Sequence, residues 1–304
     1  MRVAVAKYPI GMPASFGEFA QRQAACLRQA RELGARIAVL PEYLSLELAA
    51  SFSPEARGDL KASLAELQPW RGAWCELYRR LARELDMYLV PGTFLLDVGG
   101  GRYRNRADWF APNGVHGWQD KLQLTGYEKQ SGVIEPGDAL HGFDCDGHRV
   151  GIAVCYDVEF PLSVRAQYEA GVRLLLVPSC TDTPAGATRV KVGCLARALE
   201  NRFFVAQAVT AGEAPWSPAL DINTGEATLY APMDHGFPAD GMLATTEGDM
   251  LWACHDVDVG TLELNRAEAQ VANDRDWPHQ LLATLQPWPA DSDAKPTQCE
   301  TASA

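Results

Sequence analysis

Val150-Gly-Ile-Ala-Val-Cys155-Tyr-Asp-Val-Glu-Phe-Pro161 is an apolar, β-branched run that breaks off at a thiol and continues through acidic residues to Phe160 and Pro161. Residues 148–154 read as a buried strand, and the proline opens a helix over 161–170. A strand that ends in a sharp turn holds its last side chain outward and leaves the next backbone N–H free. One loop then supplies both an attacking sulfur and an oxyanion donor. The competing reading is a core cysteine, because free Cys is among the most buried residue types.

Two other segments end in the same way. Ala35-Arg-Ile-Ala-Val-Leu-Pro-Glu42-Tyr43 is a second buried-strand pattern; it stops at Pro41 and delivers a carboxylate at its carboxyl end, where open α/β sheets collect ligands. Farther on, a strand and a turn at Pro112-Asn113-Gly114 lead into a further strand, from which Lys121 and Glu128 emerge. Taken alone, a lysine after a hairpin is an ordinary solvated charge.

Outward from these segments, strand patterns alternate with helix-period stretches. Residues 2–8 read as a first strand and 15–33 as an amphipathic helix, opened by Ser15 with Glu18 as a capping box and stopped at Gly34. Helical stretches are expected at 54–68 and 70–86, a strand at 87–95, and a turn at Gly99-Gly100-Gly101. That glycine cluster lacks the strand-loop-helix setting of a phosphate loop. Beyond the thiol come a strand at 172–178, a helix at 186–200, and strands at 203–210, 227–231, 242–246 and 250–256. No linker divides residues 1–285, and the polar, Pro-containing stretch 286–304 reads as a tail, disordered or packed on a partner subunit.

Composition narrows the class. A formal net charge of −12 and a pI near 5.0 disfavour nucleic acid and an anionic membrane surface as partners. The 8 cysteines are scattered without CxxC spacing, which suits a reducing compartment better than a disulfide framework. The 6 histidines show no zinc-ligand spacing, so no metal is expected. The amino-terminal apolar run is cut by Lys7 and Pro9 before a signal-peptide core forms, and no apolar stretch is long enough to span a bilayer. A cytoplasmic location is expected.

The order Glu42, Lys121, Cys155, each at a strand end, resembles the nitrilase superfamily of carbon-nitrogen hydrolases. Gly171-Val-Arg-Leu-Leu-Leu-Val-Pro-Ser179 matches too, and Arg197-Ala-Leu-Glu-Asn201 is similar to the family's Arg-Ala-x-Glu-Asn segment. Leu162 departs from the pattern, since many members carry Glu after the Phe-Pro pair. Val177-Pro-Ser-Cys-Thr-Asp-Thr183 looks most like a branch with members fused to an acetyltransferase domain.

The resemblance implies a four-layer αββα sandwich and a Cys155 thiol hydrolase acting on a small non-peptide C–N bond, with a linear amide the leading substrate and no cofactor. It also implies Glu42 as the base, Lys121 as an oxyanion-stabilising cation, Glu128 as a supporting carboxylate, and a homodimer in which helices near 161–170 meet across a two-fold axis. Tyr43, Tyr156, Thr181 and Trp216 flank these segments and are candidates to shape the substrate pocket. Asp157 and Glu159, beside the thiol, read either as a lure for a cationic substrate portion or, for Asp157, as an anchor of the turn. Nitrile or N-carbamoyl hydrolysis would use the same three groups. A non-catalytic binding protein on the same fold is the reading of a different class.

Overall fold

The computed structural model describes residues 1–282; the expected tail from 286 onward lies outside the described residues. One sheet holds β1 (Arg2–Pro9), β2 (Ile37–Leu40), β3 (Tyr88–Pro91), β4 (Thr93–Gly99), β5 (Arg102–Phe110) and β6 (His116–Asp120). The other holds β7 (Gly142–Cys145), β8 (His148–Ile152), β9 (Val172–Ser179) and β10 (Phe204–Glu213), and β11 (Ile222–Asn223) pairs with the end of β10. Antiparallel β12 (Thr228–Tyr230) and β13 (Met242–Thr245) extend this second sheet, whereas β14 (Trp252–Asp256) returns to pair with β1.

The two sheets meet where the end of β1 runs parallel to the end of β10, from Lys7 opposite Val209 to Pro9 opposite Ala211. The spatial order is therefore β4-β5-β3-β2-β1-β10-β9-β8-β7. The central strands β3-β2-β1-β10-β9-β8 are all parallel, so their carboxyl ends point the same way.

Strand alternation builds the layers. Val3, Val5, Ile37, Val39 and Val90 join one apolar core with Val150, Ile152 and Leu174 of the second sheet. The intervening residues Ala4, Ala6, Tyr8, Ala38, Leu40 and Leu89 face the opposite way. There they pack against Phe19 and Leu27 of α1 (Phe16–Glu32) and, beyond α2 (Pro54–Arg57) and α3 (Leu60–Leu67), against Trp74 and Tyr78 of α4 (Arg71–Glu84). After the short α5 (Gly126–Ser131), Val164 of α6 (Pro161–Glu169) and Val190 and Cys194 of α7 (Pro184–Asn201) pack on the second sheet. With side chains at successive positions pointing to opposite faces, two sheets and two helix layers bury one apolar set each, and the result is an αββα sandwich.

Several boundaries differ from the sequence expectation. The strand foreseen at 87–95 is two strands broken at Gly92, whose φ is +73° and whose added Cβ would sit 2.0 Å from the Pro41 carbonyl oxygen. Only glycine lets the chain pass that close to the residue before Glu42. The helix foreseen at 54–68 is split at Gly58, and Asp59 starts α3 by accepting the Ala62 N–H. Ser15 does cap α1, but the Glu18 carboxylate turns back to the Ala14 N–H, one residue before the cap. A buried 3-10 turn over Leu44–Ser51 and the strand β7 were not anticipated. Among the described residues, no helix is long and apolar enough to cross a membrane.

Candidate active site

Glu42, Lys121 and Cys155 each follow the carboxyl end of a strand, β2, β6 and β8 respectively. The fold brings them to one buried place. Lys121 Nζ lies 2.8 Å from Glu42 Oε1, and 3.0 and 2.9 Å from Glu128 Oε1 and Oε2. Exposure is 1% for Glu42 and Lys121, 0% for Glu128 and 4% for Cys155.

Each group is held by its own local device. Tyr43 adopts the left-handed region at φ 63°, which lets its N–H reach Thr93 Oγ1 at 2.8 Å. The Glu42 carbonyl accepts from the Thr210 hydroxyl at 2.9 Å, so the turn after β2 is bound on both sides. Lys121 donates its backbone N–H to the Asn105 carbonyl at 2.9 Å. The Asn105 amide then donates to Glu42 at 2.8 Å and to Glu128 at 3.2 Å. Glu128 is the third residue of α5, where Thr125 caps the helix and the Glu128 carboxylate accepts the Thr125 N–H at 2.9 Å. Its other oxygen accepts the Tyr43 hydroxyl at 2.8 Å.

Cys155 has φ 48°, a left-handed conformation that costs a residue with a Cβ roughly 1–2 kcal/mol. Asp157 holds this turn. Its carboxylate accepts the backbone N–H groups of Val154 at 3.0 Å, Leu122 at 3.0 Å and Gln123 at 2.7 Å. The Asp157 side chain is thus an anchor of the turn and does not face a substrate. The Cys155 sulfur points at the Cys180 carbonyl oxygen, 3.5 Å away.

The charges here are coupled. Burial, and then the neighbouring Glu128, push the Glu42 carboxyl above its ordinary range, against the pull of Lys121 and of the Cys155 thiol. Burial also raises Glu128, but the Lys121 charge and its hydrogen bonds overturn that and hold it below the usual carboxylate range. Burial disfavours the Lys121 ammonium, yet the two glutamates outweigh it and raise Lys121 well above the usual lysine range. Burial first, and Glu42 next, push the Cys155 thiol far up. The resting arrangement is therefore a neutral thiol beside a carboxyl group of heightened basicity and a permanent cation.

The thiol opens onto a cavity of about 230 Å³. Tyr43, Tyr156 and Thr181 line it, and the Thr181 hydroxyl is committed to the Thr224 carbonyl at 2.7 Å. Trp216 does not line it: the side chain is half-buried against the apolar cluster beneath α1, and its neighbours Pro218 and Ala219 reach the cavity instead. In the segment 197–201, Arg197 is buried and donates to Glu200 at 3.0 Å. Asn105, Tyr127 and Asp221 had no sequence signal. Thr125-Gly-Tyr-Glu128 did, because Thr followed three residues later by Glu is the capping-box pattern that α5 adopts.

A buried acid-lysine-thiol cluster beyond the carboxyl ends of β2, β6 and β8, in an αββα sandwich, defines the class of α/β protein to which this chain is compared. A model of the carbon-nitrogen hydrolase family matches residues 2–241, and the chain belongs to that family. The probable hydrolase YhcX of Bacillus subtilis strain 168 is 28% identical over 277 residues, which are 91% of this chain and 53% of that protein. The chain thus spans about half the length of that relative. The omega-amidase NIT2 of Homo sapiens is 26% identical over 236 residues, covering 70% of this chain and 82% of the relative. Among solved structures, Saccharomyces cerevisiae Nit3, a member of branch 10 of the nitrilase superfamily, aligns with a TM-score of 0.70 over 90% of this chain and 96% of its own, at 18% identity. At that identity the likeness is one of fold.

Proposed function

We propose that this protein hydrolyses the C–N bond of a small linear amide through a Cys155 thioester. The observation that carries the reading is the Lys121 ammonium held between Glu42 and Glu128 beside the Cys155 thiol. Relatives named omega-amidase support an amide over a nitrile.

In this reading, Glu42 takes the thiol proton as the sulfur attacks the carbonyl carbon. The thiol needs that help, because its proton is held more tightly than in free cysteine. Negative charge gathers on the carbonyl oxygen, where the Lys121 ammonium and the Tyr156 backbone N–H meet it. Glu42 passes its proton to the nitrogen as the C–N bond breaks, and the amine or ammonia leaves. It then draws a proton from water, which attacks the thioester, frees the acid and returns the sulfur to a thiol. Glu128 positions Lys121 and keeps it charged throughout. A homodimer formed through α6, where Leu162 is 76% exposed, and a reducing, cytoplasmic setting for the free thiols complete the proposal.

The test is ammonia release from a panel of linear primary amides, combined with intact-mass detection of an acyl adduct on Cys155. Wild type is expected to turn over at least one amide and Cys155→Ala none; a Cys155→Ala variant as fast as wild type would overturn the reading.

A further inference from the structure

Beyond the thiol, the cavity changes character. Glu159, Asp182 and Asp221 line it with a single guanidinium, Arg189, and Arg189 already faces Glu159 at 3.7 Å. Among the described residues, Asp182 and Asp221 pair with no cation. Tyr127 and Tyr156 add two aromatic rings to the same wall. Val190, Pro218, Ala219 and Ile222 line the same cavity and offer carbon surface and no charge.

Resting on the amide-hydrolase reading above, we propose that the preferred substrate is a linear amide whose far end carries an ammonium or another cation. Three chemical features point the same way. Unpaired carboxylates at the rim attract a cation and repel an anion. Aromatic faces beside them add the attraction of a ring quadrupole for positive charge. The apolar part of the lining suits a methylene chain, whose burial is worth about 0.8 kcal/mol per group. The whole-chain charge of −12 draws the same ligands toward the mouth. Asp157 takes no part, because backbone N–H groups occupy its carboxylate.

A volume of about 230 Å³ admits a short chain and little more. An ω-carboxylate amide fits the space equally well in length but places its anion among three carboxylates. The guanidinium beside them, Arg189, is partnered by Glu159 and has 62% of its side chain exposed, and the Lys121 ammonium is taken up by Glu42 and Glu128. The rim therefore selects by charge where shape does not.

The experiment compares three linear primary amides of matched length that end in an ammonium, a methyl and a carboxylate. Binding to Cys155→Ala is measured by calorimetry at low salt, and turnover is measured with wild type. The ammonium amide is expected to bind about tenfold tighter than the methyl amide, and the carboxylate amide weakest, with the spread shrinking in high salt because exposed charges are screened. Asp182→Asn with Asp221→Asn should bring the ammonium amide close to the methyl amide, and Asp221→Lys should favour the carboxylate amide. Equal binding of all three, or tightest binding of the carboxylate amide to the unaltered rim, overturns the proposal. Wild type that turns over none of the three overturns the hydrolase reading instead, since the binding arm needs no catalysis.

Discussion

The Asp157 carboxylate accepts the Gln123 backbone N–H at 2.7 Å and so ties the segment that carries Lys121 to the turn that carries Cys155. The two segments belong to different sheets, and this carboxylate bridges them through the Leu122 and Gln123 N–H groups. Asp157→Ala leaves three backbone N–H groups without this acceptor. A loss of about 2–4 kcal/mol in stability is expected from urea unfolding, with Asp157→Asn losing less because its amide oxygen still accepts. Wild-type stability in the alanine variant would show that the tie is dispensable.

Lys121 faces both glutamates and, in the proposed reaction, the developing oxyanion. Lys121→Met should lower kcat/KM by about a hundred- to thousandfold, the loss typical of one such donor. Steady-state kinetics on any turned-over amide provide the measurement. Lys121→Arg keeps the charge but not the compact ammonium, and little rescue is expected from it.

The acid limb of the pH profile should belong to Glu42. Its carboxyl is raised by burial, and it must be ionised to accept the thiol proton, so kcat/KM should climb as pH rises through a value above the free-glutamate figure of about 4.3. A limb at or below that figure would contradict the assignment.

Asp108 supplies a stability test away from the site. Burial pushes its carboxyl up, but Arg71 and His116 outweigh burial and hold it below the ordinary range. Arg71 donates to both of its oxygens, at 2.5 and 2.7 Å. The folded state therefore binds this proton less readily than the unfolded chain. The stabilisation is present above the ordinary aspartate value of about 3.9 and is lost as pH falls through the depressed one. Asp108→Asn is expected to cost about 3–5 kcal/mol near neutral pH, with the gap to wild type narrowing in acid.

How far the sequence reached depends on the range of the physics involved. The strand before Cys155, the helix from Ser15 and the hairpin at Pro112-Asn113-Gly114 were legible because periodicity, caps and turn residues act over a few positions. The break at Gly92 was not, because it answers to the Pro41 carbonyl in a neighbouring strand. Asn105 escaped notice for the same reason: a polar residue inside a strand looks ordinary until its amide is seen to join Glu42 and Glu128.

By itself, the order of residues along the chain made most of the strands legible, and showed that a carboxylate, an ammonium and a thiol stand just past the ends of three of them. Only the tertiary structure decided that Asp157 anchors a turn, that Trp216 stays off the cavity, and that Asp182 and Asp221 gather at one rim. The physical reason is that strand and helix patterns are local, whereas a charge acquires its role from what surrounds it in space. Those surroundings come from elements far apart in the chain.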